Sequence, residues 1–221
     1  DIVPNHLVST SLEDFPAEFQ QNPEFYRDRT VLVKKLRMLP YEFIVRGYLF
    51  GNMWEAYRQG KAFCGRRLSG TYQQAEQLAE PIVTPSKKAA AGHDEYISIE
   101  QLKDEIGEEL TQKICALSLE LYHRCYQHAK TRGILIADTK FEFGFAPSGE
   151  LTLGDEIFTP DSSRFWDAAC YKVGESPKSY DKQFVRDWLI QNGLNGKEPA
   201  PALPDEVISK TAQIYRECLS K

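Results

Sequence analysis

The chain has 221 residues, 42% of them hydrophobic and 27% charged, and a formal net charge of −5. That balance supplies an ordinary globular core in one large domain or two small ones. The negative charge speaks against a general nucleic-acid or anionic-membrane surface, and no apolar run approaches the ~20 residues that cross a bilayer.

The opening Asp1-Ile2-Val3-Pro4-Asn5-His6 has neither the basic nor the apolar region of a secretory signal. It also lacks an initiator Met, so further residues are expected ahead of it. Residues 1–29 read as loop. Thr30–Leu36 reads as a strand, interrupted by Met38-Leu39-Pro40. Tyr41–Tyr48 reads as a second strand, with Glu42, Ile44, Arg46 and Tyr48 on one face and Tyr41, Phe43, Val45 and Gly47 on the other. Met53–Gln59 reads as a short helix. Residues 60–97 show no strong period and are expected to be irregular, with polar, turn-rich runs at Glu80–Lys87 and Gly92–Glu95.

Ser98 and Gln101 match a capping box, and Leu110, Ile114, Leu117, Leu121 and Cys125 recur at helical spacing up to a stop at Gly133. Residues 134–144 form a strand, Pro147-Ser148-Gly149 a turn, and Glu150–Ile157 a second strand. Ser179–Ile190 reads as a helix with Ser179 as its N-cap, and a last helix starts near Asp205. The five cysteines are scattered, odd in number and without a CxxC pair, which predicts a reduced, cytoplasmic protein without a zinc site.

The charged strand carries the most chemistry. Side chains alternate, so Asp138, Lys140 and Glu142 share a face opposite Thr139, Phe141 and Phe143. A two-residue loop at Ser148-Gly149 would set Glu142 opposite Asp155, where like charges repel unless a cation lies between them. Two oxygen-ligand carboxylates suit Mg²⁺, which usually adds nucleotide phosphates to one or two protein ligands. From this segment alone a solvated hairpin face is an equal alternative, and Pro147 allows a longer loop. Downstream, Thr159-Pro160-Asp161-Ser162-Ser163-Arg164 fits either an anion site or a helix cap.

Five segments taken together resemble the SAICAR synthetase family: LPYEFIVRGY (39–48), EPIVTPSKKAAAGHDEYIS (80–98), ADTKFEFG (137–144), LGDEIFTPDSSRFW (153–166) and SYDKQFVRDWL (179–189). They keep the family's order over most of the chain and are most similar to its longer, single-function form. The resemblance implies an ATP-dependent ligase of purine biosynthesis that joins carboxyaminoimidazole ribotide (CAIR) to L-aspartate. It implies an α+β, two-lobed fold with antiparallel sheets, flanking helices and a kinase-like ATP cleft, the first lobe being incomplete. Residues 1–39 would be the remainder of the N-terminal ATP lobe, and 40–221 the lobe for ribotide, aspartate and metal.

In the family pattern Glu142 and Asp155 hold the metal of the nucleotide, a hinge at Arg37–Leu39 sets Met38 beside the nucleotide, and Asp138 and Lys140 line the reaction centre. Arg46, Ser162 and Arg164 match ribotide-binding positions. Lys87, His93 and Asp94 match a polar loop near the ribotide and aspartate sites, and Lys182 and Arg186 match groups that reach the ribotide phosphate or form an ordinary charged helix face. Asn52 stands where the family usually has Ser, and its amide can still donate. The implied cofactors are ATP and Mg²⁺, and the implied partners are the small-molecule substrates, with no nucleic acid or membrane. A different ATP-using enzyme on a related scaffold and a non-catalytic nucleotide-binding protein are the alternatives. The sequence indicates no oligomeric state.

Overall fold

The computed structural model describes residues 2–89, 92 and 94–221. In chain order the elements are β1 (Leu7–Ser9), α1 (Ala17–Gln20), α2 (Pro23–Tyr26), β2 (Leu32–Val33), β3 (Arg37–Met38), β4 (Tyr41–Tyr48), α3 (Gly51–Arg58) and β5 (Gln77–Lys87). There follow β6 (Glu95–Tyr96), α4 (Ile99–Ile106), α5 (Glu108–Thr131), β7 (Ile134–Phe145), β8 (Leu151–Gly154), β9 (Ser163–Asp167), α6 (Gln183–Gln191) and α7 (Asp205–Leu219). No helix among the described residues is long and apolar enough to cross a membrane.

A seven-stranded sheet organises the molecule in the order β3-β7-β4-β5-β6, with β8 and β9 also paired to β7. Its ladders are antiparallel. The 12-residue β7 is the spine. It meets β4 through Phe43↔Phe141, Ile44↔Lys140 and Arg46↔Asp138, and β9 through Asp138↔Arg164. Because strands alternate, this register stacks Phe43, Val45, Thr139 and Phe141 on one face and Ile44, Arg46, Asp138 and Lys140 on the other.

The apolar face is the core. Phe43, Val45, Phe141 and Phe143 are fully buried and cluster with Ile114, Leu121, Tyr122 and Tyr126 of α5. The predicted capping box is present: Ser98 Oγ accepts from the Gln101 amide at 3.1 Å, and Gln101 returns a bond to the Ser98 amide at 2.8 Å. Gly107 separates α4 from α5, and α5 carries the apolar stripe expected of it.

Several local expectations are corrected. Residues 60–97 contain the 11-residue strand β5, which runs beside β4 along its length. Pro81 and Pro85 disguise it, yet they fit, because among the described residues β6 pairs only with Ser86 and Lys87 on that edge. The predicted strand over 30–36 reduces to the two residues of β2, which pair with β1 in a separate small sheet. Residues 1–29 are not simply loop, since they hold β1, α1 and α2. Tyr48 leaves the Arg46 face: the ladder shifts between Arg46 and Tyr48, and Tyr48 packs in the core against Trp166 and Tyr126.

Candidate active site

Arg46 comes from the middle of β4 and is only 3% exposed. Its Nε donates to Thr84 Oγ1 at 2.9 Å and its Nη1 to Asp138 Oδ2 at 3.2 Å. The guanidinium lies over the Phe63 ring at 5.2 Å and the Tyr96 ring at 5.8 Å. Arg164 of β9, directly across β7, also donates to Asp138 Oδ2 and covers Phe50 at 5.4 Å. One carboxylate therefore holds two arginines side by side. Burial alone would weaken the proton affinity of Arg164, but the charge of Asp138, and then of Asp181, outweighs it and the net shift is upward.

A second group sits farther along the same face. Lys140 Nζ donates to Asp155 Oδ2 at 2.7 Å and Glu142 Oε1 at 3.1 Å, and lies 3.6 Å from Glu42. Lys88 Nζ reaches the same Glu142 oxygen at 2.8 Å. Burial pulls the Lys140 ammonium down, yet the hydrogen bonds it donates to Asp155 and Glu142 prevail and hold it above the ordinary lysine value. Asp155 is shifted oppositely: burial raises it, and Lys140 and the backbone amide of Glu156 bring it below the usual carboxylate range. Lys140 is thus held by Glu42, Glu142 and Asp155, and Asp138 is engaged by arginines instead of orienting Lys140.

The hairpin register differs from the two-residue expectation by one. Ala146 and Glu150 close a three-residue loop in which Gly149 has φ +85°, so Glu142 pairs with Gly154. Pro147 cannot donate a backbone bond, which suits the longer loop. A pure one-residue slip would send Asp155 to the apolar face. It does not, because β8 ends at Gly154 and Asp155 takes φ +55°, a left-handed conformation that Asp tolerates better than most residues. The turn brings its carboxylate back to Lys140 and Glu142.

The two carboxylates therefore converge on the Lys140 ammonium, a place that favours positive charge and offers oxygen donors only. Among the described residues no larger cluster of His, Cys, Asp or Glu suits a metal. A pair of carboxylates fits Mg²⁺ completed by phosphate oxygens and water, and does not fit zinc.

The wall opposite β4 is built by the turn before β9 and the segment before α6. Thr159 Oγ1 accepts from the amides of Asp161 and Ser162, and Ser162 Oγ accepts from the Thr159 amide at 3.0 Å. This turn leads into a strand, so the helix-cap alternative falls away. The predicted helix over 179–190 begins later, at Gln183, because Ser179 and Tyr180 are tied to β9 through Phe165. Ser179 Oγ donates to Asp181 instead of capping the helix.

Between these walls lies a cavity of about 250 Å³. Arg46, Asp138, Lys140 and Arg164 line it from the sheet, and Asn52, Ser162, Lys182 and Arg186 from the flanking segments. Lys182 pairs with Asp161 at the rim, and Asn52 donates to the Tyr96 hydroxyl at 3.1 Å. Other predicted positions lie apart from it. Lys87 points to the opposite side of β5, paired with Glu105 over the Tyr41 ring, and its neighbour Lys88 takes the charged face. Asp94 accepts from the Ala89 amide at an exposed position outside the cavity lining, and His93 lies outside the described residues. Met38, 40% exposed, lies against Gly144 and Gly154 at the end of the charged face.

Sequence reasoning named Glu42 as a face residue but not as a site residue, and missed Lys88, Tyr96, Asp161 and Asp181. The alternation of β4 and β5 was the available signal for Glu42 and Lys88. Nothing local marks Tyr96 or Asp181, which are delivered by tertiary contacts.

Comparison with known proteins agrees with this architecture. The SAICAR synthetase family profile matches residues 1–203. The phosphoribosylaminoimidazole-succinocarboxamide synthase of Neisseria meningitidis serogroup C is 50% identical over 220 residues, covering 99% of this chain and 76% of that protein. The Chromobacterium violaceum protein of the same name is 50% identical over 222 residues, covering 100% of this chain and 78% of the relative. Among solved structures, the Saccharomyces cerevisiae SAICAR synthase complexed with SAICAR superposes with a TM-score of 0.86 at 41% identity, covering 98% of this chain and 73% of that one. A type-2 SAICAR synthetase in complex with ADP has a TM-score of 0.58 at 28% identity, over 78% of this chain and 69% of that one. A match across so much of the sequence, at such identity, means that this chain belongs to the SAICAR synthetase family.

Proposed function

We infer that this protein is an ATP-dependent ligase that joins CAIR to L-aspartate, giving SAICAR, ADP and phosphate in purine biosynthesis. The observation that carries the reading is the single charged sheet face, on which paired arginines at Asp138 stand beside a lysine–carboxylate cluster around Glu142. That face offers anion-binding and cation-binding ends within one cleft, as a reaction between a phosphorylated nucleotide and two carboxylate substrates requires.

A carboxylate resists attack by an amine because oxide is a poor leaving group. Transfer of the ATP γ-phosphoryl group to the CAIR carboxylate gives an acyl phosphate, and the amine of aspartate then displaces phosphate. The residues act by position and charge. Arg46 and Arg164, fixed by Asp138, suit the ribotide anion, with Asn52, Ser162, Lys182 and Arg186 also lining the cavity. Lys140, kept protonated, suits the charge on the transferring group. Glu142 and Asp155 would hold Mg²⁺, which supplies neutralisation of ATP oxygens when bound. Met38 at the outer end of that face suits the nucleotide, and the boundary at 39/40 divides the nucleotide part from the ribotide, aspartate and metal part. Lys87 and Asp94 are assigned no direct role, and His93 lies outside the described residues.

The test is ADP release by the purified enzyme with ATP, CAIR and L-aspartate, omitting each in turn. Release that depends on all three, with SAICAR as product, is expected. ADP release that ignores L-aspartate while phosphorylating a hydroxyl would instead indicate a small-molecule kinase.

A further inference from the structure

Four carboxylates line the cavity: Glu42, Asp138, Asp161 and Asp181. Three have cationic partners in the protein. Asp138 is shared by Arg46 and Arg164, Asp161 is paired with Lys182, and Glu42 lies 3.6 Å from Lys140 and 3.9 Å from Lys88. Asp181 is the exception: among the described residues no Lys or Arg nitrogen comes within 4.0 Å of it. It is nevertheless 2% exposed. Its two oxygens accept from Ser179 Oγ and, at 2.7 Å, from the Gln183 amide. Those bonds aim the carboxylate but leave it spare acceptor capacity, since an ionised carboxyl offers about four lone-pair sites.

The charge of Arg164 acts on Asp181 only from beyond ion-pair distance and is engaged by Asp138, so this buried anion gains from a cation that comes closer. On the ligase reading above, on which this inference rests, ATP and the ribotide bring negative charge to the cleft. Of the three substrates, L-aspartate alone brings a positive group, its ammonium, while Mg²⁺ would belong to the Glu142 and Asp155 end of the cleft. The cavity's arginines and lysines repel that group, and the charge of Asp138 is already compensated by two guanidinium groups. We propose that Asp181 receives the ammonium of L-aspartate and takes one proton from it. The freed amine lone pair then forms the C–N bond to the acyl phosphate carbon, the C–O bond to phosphate breaks, and the second N–H proton leaves with the departing phosphate. Asp181 later returns its proton to water. The surroundings suit a proton acceptor: burial pushes the carboxyl above its ordinary value, against Ser179 and Gln183, which pull it back. Arg164 and Asp138 face it from the sheet, and Tyr215 and Cys218 from α7.

Hydroxylamine distinguishes this role from a structural one. It is largely neutral near pH 7, needs no anionic receptor, and traps an acyl phosphate as a hydroxamate. Asp181→Asn keeps the acceptor for Gln183 and removes the charge. The expected result is a fall of about 100-fold in SAICAR formation, with a raised KM for L-aspartate. Hydroxamate formation from CAIR and ATP, and the KM for CAIR, should stay within about threefold of the parent. Equal loss of both reactions, or unimpaired use of L-aspartate, would overturn the assignment. Failure of the unsubstituted enzyme to give hydroxamate would strike at the acyl phosphate itself, and the KM for L-aspartate would then decide the role of Asp181 alone.

Discussion

Arg46 is fixed on three sides, by Thr84, Asp138 and the rings of Phe63 and Tyr96. Such a site uses the flat fork of Arg, which Lys cannot reproduce. Arg46→Lys is therefore expected to raise the KM for CAIR by about tenfold or more while moving the KM for ATP far less, since a lost charge-assisted bond is worth about 1.5–3 kcal/mol. Equal increases for both substrates would remove Arg46 from the ribotide end of the cleft. Asp155→Asn belongs to the other end. It takes away a charge that steadies Lys140 and a ligand suited to Mg²⁺, so the Mg²⁺ concentration for half-maximal rate should rise by about tenfold, with the melting temperature little changed. An unaltered Mg²⁺ dependence would count against it. At this scale, faces on regular strands were legible: that Arg46 shares a face with Glu42, and Asp138 with Lys140 and Glu142, follows from alternation. Asp155 was placed near Glu142 for a reason that fails, the two-residue turn, and reaches it through a left-handed backbone that no pattern of polarity records. That Lys87 turns to Glu105 and Lys88 to Glu142 was hidden, because an unrecognised strand leaves its faces unassigned.

Elements with uninterrupted periodicity read well, and those shaped by proline or by distant contacts did not. The apolar stripe of α5 and the capping box of α4 needed nothing beyond local spacing. Strand β5 carries two prolines, so its place beside β4 becomes visible only when its far edge is seen to pair, among the described residues, only through Ser86 and Lys87. The link between these elements is testable through Tyr41. Its hydroxyl donates to Glu105 on α4, and Lys87 of β5 pairs with the same carboxylate, so one acid clamps a helix to two strands. Burial, and then the bond and charge of Glu105, push the Tyr41 phenol up to about 12. A phenol whose folded value exceeds its ordinary value of about 10 stabilises the fold fully below that pH and loses the contribution as pH rises toward the folded value. Tyr41→Phe should accordingly lower the melting temperature at neutral pH, and the gap to the parent should narrow only above about pH 10. A gap already closing below about pH 9, or one that persists unchanged to about pH 11, would show that the clamp is not set by this proton.

For the whole molecule, one sheet serves two environments. Its apolar face is covered by α5, its charged face forms the cleft, and β4, β7 and β9 contribute to both, so any displacement of α5 is felt by the strands that carry Arg46, Lys140 and Arg164. Of the described glycines, Gly47, next to Arg46, leaves the least room for a side chain. A Cβ there would lie 1.9 Å from the Tyr122 hydroxyl oxygen and 2.9 Å from its ring carbon Cζ. Tyr122 has little freedom to retreat, because it is 2% exposed and its hydroxyl donates to the Ile136 carbonyl of β7 at 2.6 Å. Gly47→Ala must therefore push α5 away from the sheet or break that bond. Overpacking of this kind costs about 2–3 kcal/mol, which for a chain of this size lowers the melting temperature by roughly 5–10 °C. Removing the obstructing atom should restore part of the loss: Tyr122→Phe in the Gly47→Ala background is expected to melt above the single variant, although below the parent, since the bond to Ile136 is gone and the Cζ contact remains. The two substitutions would thus be non-additive, as residues in contact are. Melting curves of the parent, both single variants and the double variant decide the matter. An alanine at 47 that leaves the melting temperature unchanged, or a double variant that loses the full sum of the single effects, would mean that α5 does not rest on the sheet at this point.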